Sequence, residues 1–408
     1  MINKGEKMFK EKDSFDNKLL NFVNKNLFLI FFIIITIFSL LVRWNFLNIQ
    51  SGDYLGFLHD WFNDLKENGG FKGLKNDVGN YNAPYVTIIA LLTYLPIHPL
   101  YSIKMVSIIF DFVLALSCMV LVYKLFKNSK NKDFYAILTY FIVIMLPTVV
   151  LNSSAWAQCD SIYSAFAIIS LIFLMDEKYL KSFIFLGISF AFKLQFIFLL
   201  PVYIWIYISK RKFPIYYFLI LPVVNFILCI PSILFGKSII SCLNVYGEQA
   251  GYYKEMLSLN FPGIYNLFFD SCNTIQSPGE YFSTFGVIMT ISILAIITFV
   301  FMYKKIKINQ ENIITLSLWS VVLCTFLLPH MHDRYMYLAD VLSIIYVLLN
   351  KKKWYIALGI NFVSLYTYIA FLWGSISLDI TTVTILNLAI LLILTKEVYE
   401  RIVIRKEE

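Results

Sequence analysis

The octapeptide LPHMHDRY, residues 328–335, holds two of the chain's four histidines beside an aspartate and an arginine, at the end of an apolar run. Imidazole and guanidinium side chains bind phosphate through charge-assisted hydrogen bonds, and imidazole and carboxylate also move protons. His330, His332 and Arg334 are therefore candidate anion-binding groups. Pro329 ends one helix and Asp333 can cap the next, which accounts for the aspartate but not for its three neighbours. The two histidines could also ligate a metal, but any carboxylate ligands would have to come from other loops and no metal motif accompanies them. No cofactor is expected, and a divalent metal has no support.

Other segments offer complementary groups. In AFKLQFIFLLP (191–201), Lys193 interrupts two apolar runs, with Gln195 beside it. An ionisable residue within a span costs about 2.5–3.5 kcal/mol on insertion scales, less near the interface. Lys193 either snorkels or aims its charge at an anionic ligand. NSSAWAQCDS (152–161) gathers Trp156, Gln158 and Asp160 at a helix start, where Asp160 is equally suited to capping. Asn152 heads an N-x-S sequon, informative only in a eukaryotic secretory pathway. SGDYLGFLHDWFNDLKENGG (51–70) supplies Asp53 and Asp60. DVGNYNAPYV (77–86) sets Asn80, Tyr81 and Asn82 before a proline, where the chain turns.

The elements that must position these groups are membrane spans. The chain is 59% hydrophobic and 15% charged, against about 45–50% and about 25% in soluble domains. Its mean hydropathy is +0.71. Twelve apolar segments read as spans: 26–46, 102–123, 134–151, 160–174, 182–193, 195–209, 213–235, 284–303, 313–328, 335–349, 354–372 and 380–395. The first is too long for a signal peptide's apolar region and lacks a small-residue cleavage site, so it reads as an uncleaved span. The run 83–96 is too short to cross and reads as re-entrant or surface-lying. The expected fold is an all-α polytopic membrane protein with about twelve transmembrane helices, in one domain spanning 1–408.

Charge sets the orientation. Alternate loops and the two tails hold 25 of the 34 Lys and Arg residues, and cytoplasmic loops are the ones enriched in these residues. Both tails, 1–25 and 396–408, are therefore expected in the cytoplasm of a cell whose plasma membrane the chain crosses. The long loops 47–101 and 236–283 and all four histidines then lie outside. The net charge of +8 is spread over membrane-flanking loops rather than clustered, which argues against nucleic acid. In the first outer loop, Tyr54, Phe57, Leu58, Trp61, Phe62 and Leu65 fill one helical arc and the carboxylates the other. That pattern suits an amphipathic helix at the bilayer interface, begun by Ser51 and stopped by Gly69–Gly70. The six cysteines show no metal spacing, and a Cys242–Cys272 disulfide is left open.

An outer site with a carboxylate on one wall and Lys, His and Arg on another suits group transfer from a phosphate-bearing donor. The carboxylate accepts a proton from an acceptor hydroxyl, and the cations stabilise the departing phosphate. Outside the cell there is no nucleotide pool, so the donor must arrive with the membrane, as a polyprenyl-phosphate sugar does.

The segments SGDYLGFLHDW, YNAPY, NSSAWAQCDSIYSAF, FAFKLQFIFLLP and LPHMHDRYMYLADV, in this order from about 50 to 345, resemble the GT-C superfamily of integral-membrane glycosyltransferases. The resemblance is to a bacterial branch related to mannosyl- and glucosyltransferases that use lipid-phosphate sugars. The resemblance implies an inverting hexosyltransferase with an outer active site, a first-loop aspartate as base and a cationic grip on the donor phosphate. It places Asp53 as the base, Lys193 at the mid-chain outer turn, and His332 and Arg334 in the late cluster. The first loop has no adjacent acidic pair, so the base stays open between Asp53 and Asp60. No soluble domain follows the last span, so a glycan or glycolipid acceptor would be recognised by loop 236–283. Its Tyr, Asn and Gly residues suit sugars and an interfacial belt equally. A polysaccharide polymerase and a lipid-linked sugar flippase or transporter are the rival readings.

Overall fold

The computed structural model describes residues 15–252, 256–269, 279–374 and 377–404. The chain is an all-α, multi-pass membrane protein. Among the described residues, seven helices are long and apolar enough to cross a membrane: Leu27–Trp44, Pro99–Leu125, Ile215–Leu234, Gly279–Lys304, Gln310–Leu327, Lys351–Trp373 and Ile380–Arg401. Lys132–Met145 and Pro147–Ala155 make an eighth when joined across their 51° bend. The bend falls at Pro147, whose ring removes a helical donor.

Every one of the twelve apolar segments is helical over most of its length. Four of them, Asp160–Met175, Tyr179–Phe192, Leu194–Lys210 and Tyr337–Leu349, are only 10–17 residues long. A helix rises about 1.5 Å per residue, so none of these spans about 30 Å of hydrocarbon unaided. Protein covers much of their surface, and Leu171, Leu186, Val202 and Leu342 are fully buried.

The chain between the first span and Asp53 is clamped by one lysine. Lys104, itself buried, donates to the carbonyl oxygens of Phe46 (3.1 Å), Leu47 (2.9 Å) and Ile49 (2.6 Å). An ammonium has three donors, and here each finds a backbone carbonyl of the turn that follows the first span. Deeper in the same helix, Asp111 Oδ2 accepts from Arg43 Nε (3.1 Å), Arg43 Nη2 (2.9 Å) and Ser153 Oγ (2.5 Å).

The amphipathic helix of the first loop forms, with a different partner from the one its pattern suggests. A π-helical turn, Tyr54–Leu58, leads into helix His59–Glu67. Ser51 Oγ accepts the Tyr54 amide at 3.1 Å, and Gly69 and Gly70 stop the helix at φ +81° and +67°. Its apolar face, Tyr54, Leu58, Phe62 and Leu65, is buried against Val86, Ile89, Ala90, Leu100 and Ile103. The short apolar helix Ala83–Leu92 occupies the ground that lipid would have taken. That helix starts where Asn82 Oδ1 accepts the Ala83 amide (2.9 Å) and Pro84 lies in the first turn. The Cys242–Cys272 pairing falls partly outside the described residues, at position 272; Cys242 is buried beside Ala83 and Cys229.

Candidate functional site

Two backbone irregularities aim the site. The first-loop helix begins with a π turn directly after Asp53. A second π turn, Leu151–Ala155, ends at Trp156, and Ala157 takes the left-handed conformation at φ +65°. A left-handed non-glycine residue costs of order 1–3 kcal/mol and persists only where packing enforces it. Ala157 is fully buried, and its turn points Trp156 and Gln158 at the same atom. Trp156 Nε1 donates to Asp53 Oδ2 at 2.8 Å, and Gln158 Nε2 donates to it at 2.6 Å. Trp156 is held from behind by Phe371, stacked at 4.1 Å, and by Tyr368, edge-on at 4.9 Å.

Arg334 is the third group on that oxygen, with Nη1 3.2 Å from Asp53 Oδ2. Its Nε stands 3.7 Å from Asp160 Oδ2, its Nη1 3.7 Å from Asp333 Oδ1, and its guanidinium lies 5.4 Å over the Trp156 ring. Burial disfavours its charge, but Tyr81, Asp53, Asp160 and Asp333 outweigh burial and hold its pKa well above the ordinary arginine value. Asp53 is 15% exposed and Arg334 8%, so their contact is little screened by water.

Lys193 approaches from another side. Helix Tyr179–Phe192 ends at Lys193, whose extended backbone (φ −150°, ψ 142°) swings the side chain inward. Its Nζ donates to Asp160 Oδ1 at 2.7 Å and lies 5.2 Å over the Tyr81 ring. Tyr81 donates to Gln158 Oε1 at 2.8 Å. Burial raises the Tyr81 pKa, with Lys193 and Arg334 opposing, so the phenol stays protonated.

Asp160 does not cap its helix. Cys159 precedes helix Asp160–Met175 without a side-chain cap, and the Asp160 carboxylate faces Lys193, Arg334 and Asn152 instead. Asp333 does not cap either; helix Tyr337–Leu349 starts after Met336. Asp333 is buried with its Oδ1 near His332 Nδ1 (3.4 Å) and Arg334. A buried guanidinium and lysine need counter-charges more than a helix end needs a cap.

Two small cavities open onto this cluster. One, about 70 Å³, is lined by Lys193, Gln195, Tyr81, His332, Arg334 and Tyr335 among others. The other, about 40 Å³, is lined by Asp53, Gln158, Tyr81, Trp61, His332 and Arg334 among others. Gln195 Oε1 is buried without a hydrogen-bond partner among the described residues. Thus Asp53, Tyr81, Trp156, Gln158, Asp160, Lys193, Gln195, His332 and Arg334 come together from five segments of the chain.

Two candidates lie apart. The Asp60 side chain is 72% exposed, 3.5 Å from His59; it falls on the helix face opposite Tyr54 and Leu58. His330 adopts φ +61° and turns away from the cavities. Its Nδ1 meets the Met256 carbonyl at 2.6 Å and its Nε2 meets Ser283 Oγ at 3.0 Å. Its backbone opens a short parallel ladder that pairs Ser258–Leu259 with Met331–His332. Asn152 escaped the sequence reading as a site residue. It donates to Asp160 Oδ2 (2.8 Å) and Tyr368 (2.9 Å), and no local pattern signals this. Among the described residues no three His, Cys, Asp or Glu side chains gather as a metal cage.

The arrangement presents a hydrogen-bonded carboxylate beside two buried cations, in cavities at one end of a helical bundle. Such a set can accept a proton on one side and hold an anion on the other. No family model, curated protein or solved structure matches this chain.

Proposed function

We propose that the protein is an inverting hexosyltransferase of the GT-C type, which moves a hexose from a polyprenyl-phosphate sugar to a lipid-linked or cell-envelope glycan. In this reading twelve helices cross the plasma membrane, both termini are cytoplasmic and the site faces outward. The observation that carries it is the meeting of Asp53, Lys193 and Arg334 around two cavities that share Tyr81, His332 and Arg334 in their walls.

Trp156, Gln158 and Arg334 all converge on Asp53 Oδ2, which leaves Oδ1 for an acceptor hydroxyl. Asp53 takes that proton as the acceptor oxygen bonds to the anomeric carbon. The bond from that carbon to the phosphate oxygen breaks, and its electron pair leaves with the phosphate. Lys193, Arg334 and His332 line the cavity where that charge grows, with the Gln195 carbonyl and the Tyr335 ring beside them. A phosphate is already a good leaving group and needs no general acid. Asp60 is the weaker candidate for the base because it lines neither small cavity.

A flippase is the second reading, favoured by the buried Arg43–Asp111 pair near the middle of helix Pro99–Leu125. That pair is closed on itself by Ser153 and the Ile144 carbonyl and lines neither cavity, which favours a structural role. The deciding experiment follows label from polyprenyl-phosphate mannose and glucose, with wild type against Asp53→Asn. Transfer by wild type alone supports the assignment. Transfer by both moves the base elsewhere. Movement of lipid-linked sugar across vesicles without transfer turns the reading over to the flippase.

A further inference from the structure

A third cavity, about 380 Å³, adjoins the charged centre. It shares Phe57, Trp61 and Asn80 with the cavity that contains Asp53, and Asn80 and Gln249 with the one that contains Lys193. Its volume falls within the range of about 300–1,000 Å³ usual for small-molecule sites. None of Lys193, His332 and Arg334 lines it.

Its chemistry is mixed in a particular way. The indole of Trp61 and the ring of Phe57 supply apolar area, while Asp77, Glu248 and Gln249 supply acceptors and an amide. The one cation among the described lining residues, Lys237, is 7% exposed and stands 3.5 Å from Asp77. A phosphate would meet two carboxylates here, and a purely apolar ligand would strand all the polar groups. A pyranose satisfies both sets: its C–H face packs on an aromatic ring, and its hydroxyls donate to carboxylates and accept from amides.

The platform is fixed by the backbone. Gly79 has φ +67°, and a Cβ added there would stand 2.4 Å from the Trp61 ring, so only glycine lets the chain lie against the indole. Tyr81 meets the same ring edge-on at 5.2 Å. Gln249 donates to the Asn80 carbonyl, which ties helix Ile239–Tyr252 to this wall.

We propose that this cavity binds a pyranose of the acceptor, a ring that carries no phosphate, with Trp61 as its platform and its reacting hydroxyl directed to Asp53. The assignment rests on the transferase reading for the word acceptor, but the sugar site itself is testable alone.

The test uses the full chain in lipid nanodiscs, with methyl α-mannopyranoside, methyl β-glucopyranoside and methyl β-galactopyranoside as probes. Saturation-transfer NMR should show at least one glycoside bound through its ring C–H protons. Trp61→Leu and the cavity-filling Ser241→Trp should each cut that signal about fivefold or more, and Asp53→Asn should preserve it. In a transfer assay the same two variants should raise acceptor KM about tenfold while donor KM stays within about twofold. Glu248→Gln, a solvent-facing change that leaves the packing intact, should raise acceptor KM as well. Binding of none of the glycosides, or binding undiminished in both cavity variants, overturns the sugar site. Transfer with unchanged acceptor KM in all three variants overturns it and spares the transferase reading. Glycoside binding that depends on Trp61, with no transfer from any donor, does the reverse.

Discussion

Arg334 Nη1 lies 3.2 Å from Asp53 Oδ2, so the proposed phosphate holder already touches the proposed base. In that proposal a donor phosphate competes with Asp53 Oδ2 for Arg334, so donor binding and the charge on the base are coupled. Asp53→Asn should therefore lower kcat by about 10²–10⁴-fold, the usual worth of general-base catalysis. Donor affinity should hold or tighten, since Arg334 loses a competitor. Titration of a non-transferable polyprenyl-phosphonate sugar would check this, and a matching loss of donor affinity would remove the coupling.

The Asp160–Lys193 pair is more deeply enclosed, at 1% and 7% exposure. Removing one partner of such a pair leaves the other charge buried, at a cost of about 3–5 kcal/mol. Lys193→Met and Asp160→Asn should each lower the unfolding temperature clearly. The double variant should recover most of the loss while still failing to hold donor. Thermal unfolding of all four proteins in one detergent reads the cycle; simple additivity would mean that the pair is not coupled.

Lys104 lines none of the three cavities described above, yet it holds the three carbonyls that lead into Ser51 and Asp53. It is a positioning residue. Lys104→Met should lower kcat by about tenfold or more, since small misplacements of a reacting group are expensive. Acceptor and donor KM should change little, and Lys104→Arg should restore part of the rate. Loss of protein without any kcat effect in the surviving fraction would make Lys104 purely structural.

The two histidines of the late cluster should separate. His332→Ala should raise donor KM, because His332 lines both small cavities. His330→Ala should cost about 1 kcal/mol of stability by leaving Met256 and Ser283 without their partly buried partner. Its donor KM should stay near the wild-type value. Equal effects on KM would contradict the geometry.

What the sequence disclosed followed from how local each signal is. Ser51 and the Gly69–Gly70 stop are readable because caps and left-handed turns depend on one or two residues. The gathering of Asp53, Gln158, Lys193 and Arg334 was legible because charged and amide groups are rare in apolar surroundings and stand out wherever they fall. The direction of each side chain was not. Asp160 looks like a cap until Lys193 arrives from another helix, and His330 looks like a companion of His332 until its positive φ turns it round. The apolar arc of the first-loop helix predicted burial correctly, but periodicity cannot tell a lipid from helix Ala83–Leu92 as the covering surface. A 13-residue helix such as Tyr337–Leu349 reads as a span from its composition, and protein covers most of its side chains.

The two-residue ladder between Ser258–Leu259 and Met331–His332 has a mechanical consequence. His330 donates its amide to Leu257 and Asp333 donates its amide to Leu259, so these two hydrogen bonds bracket His332 like rivets. Any pull on the imidazole is shared by the distant segment, and the two strips of chain rise or settle together. Deuterium exchange at the amides of His330 and Asp333 therefore acts as a gauge of occupancy, readable without following turnover at all.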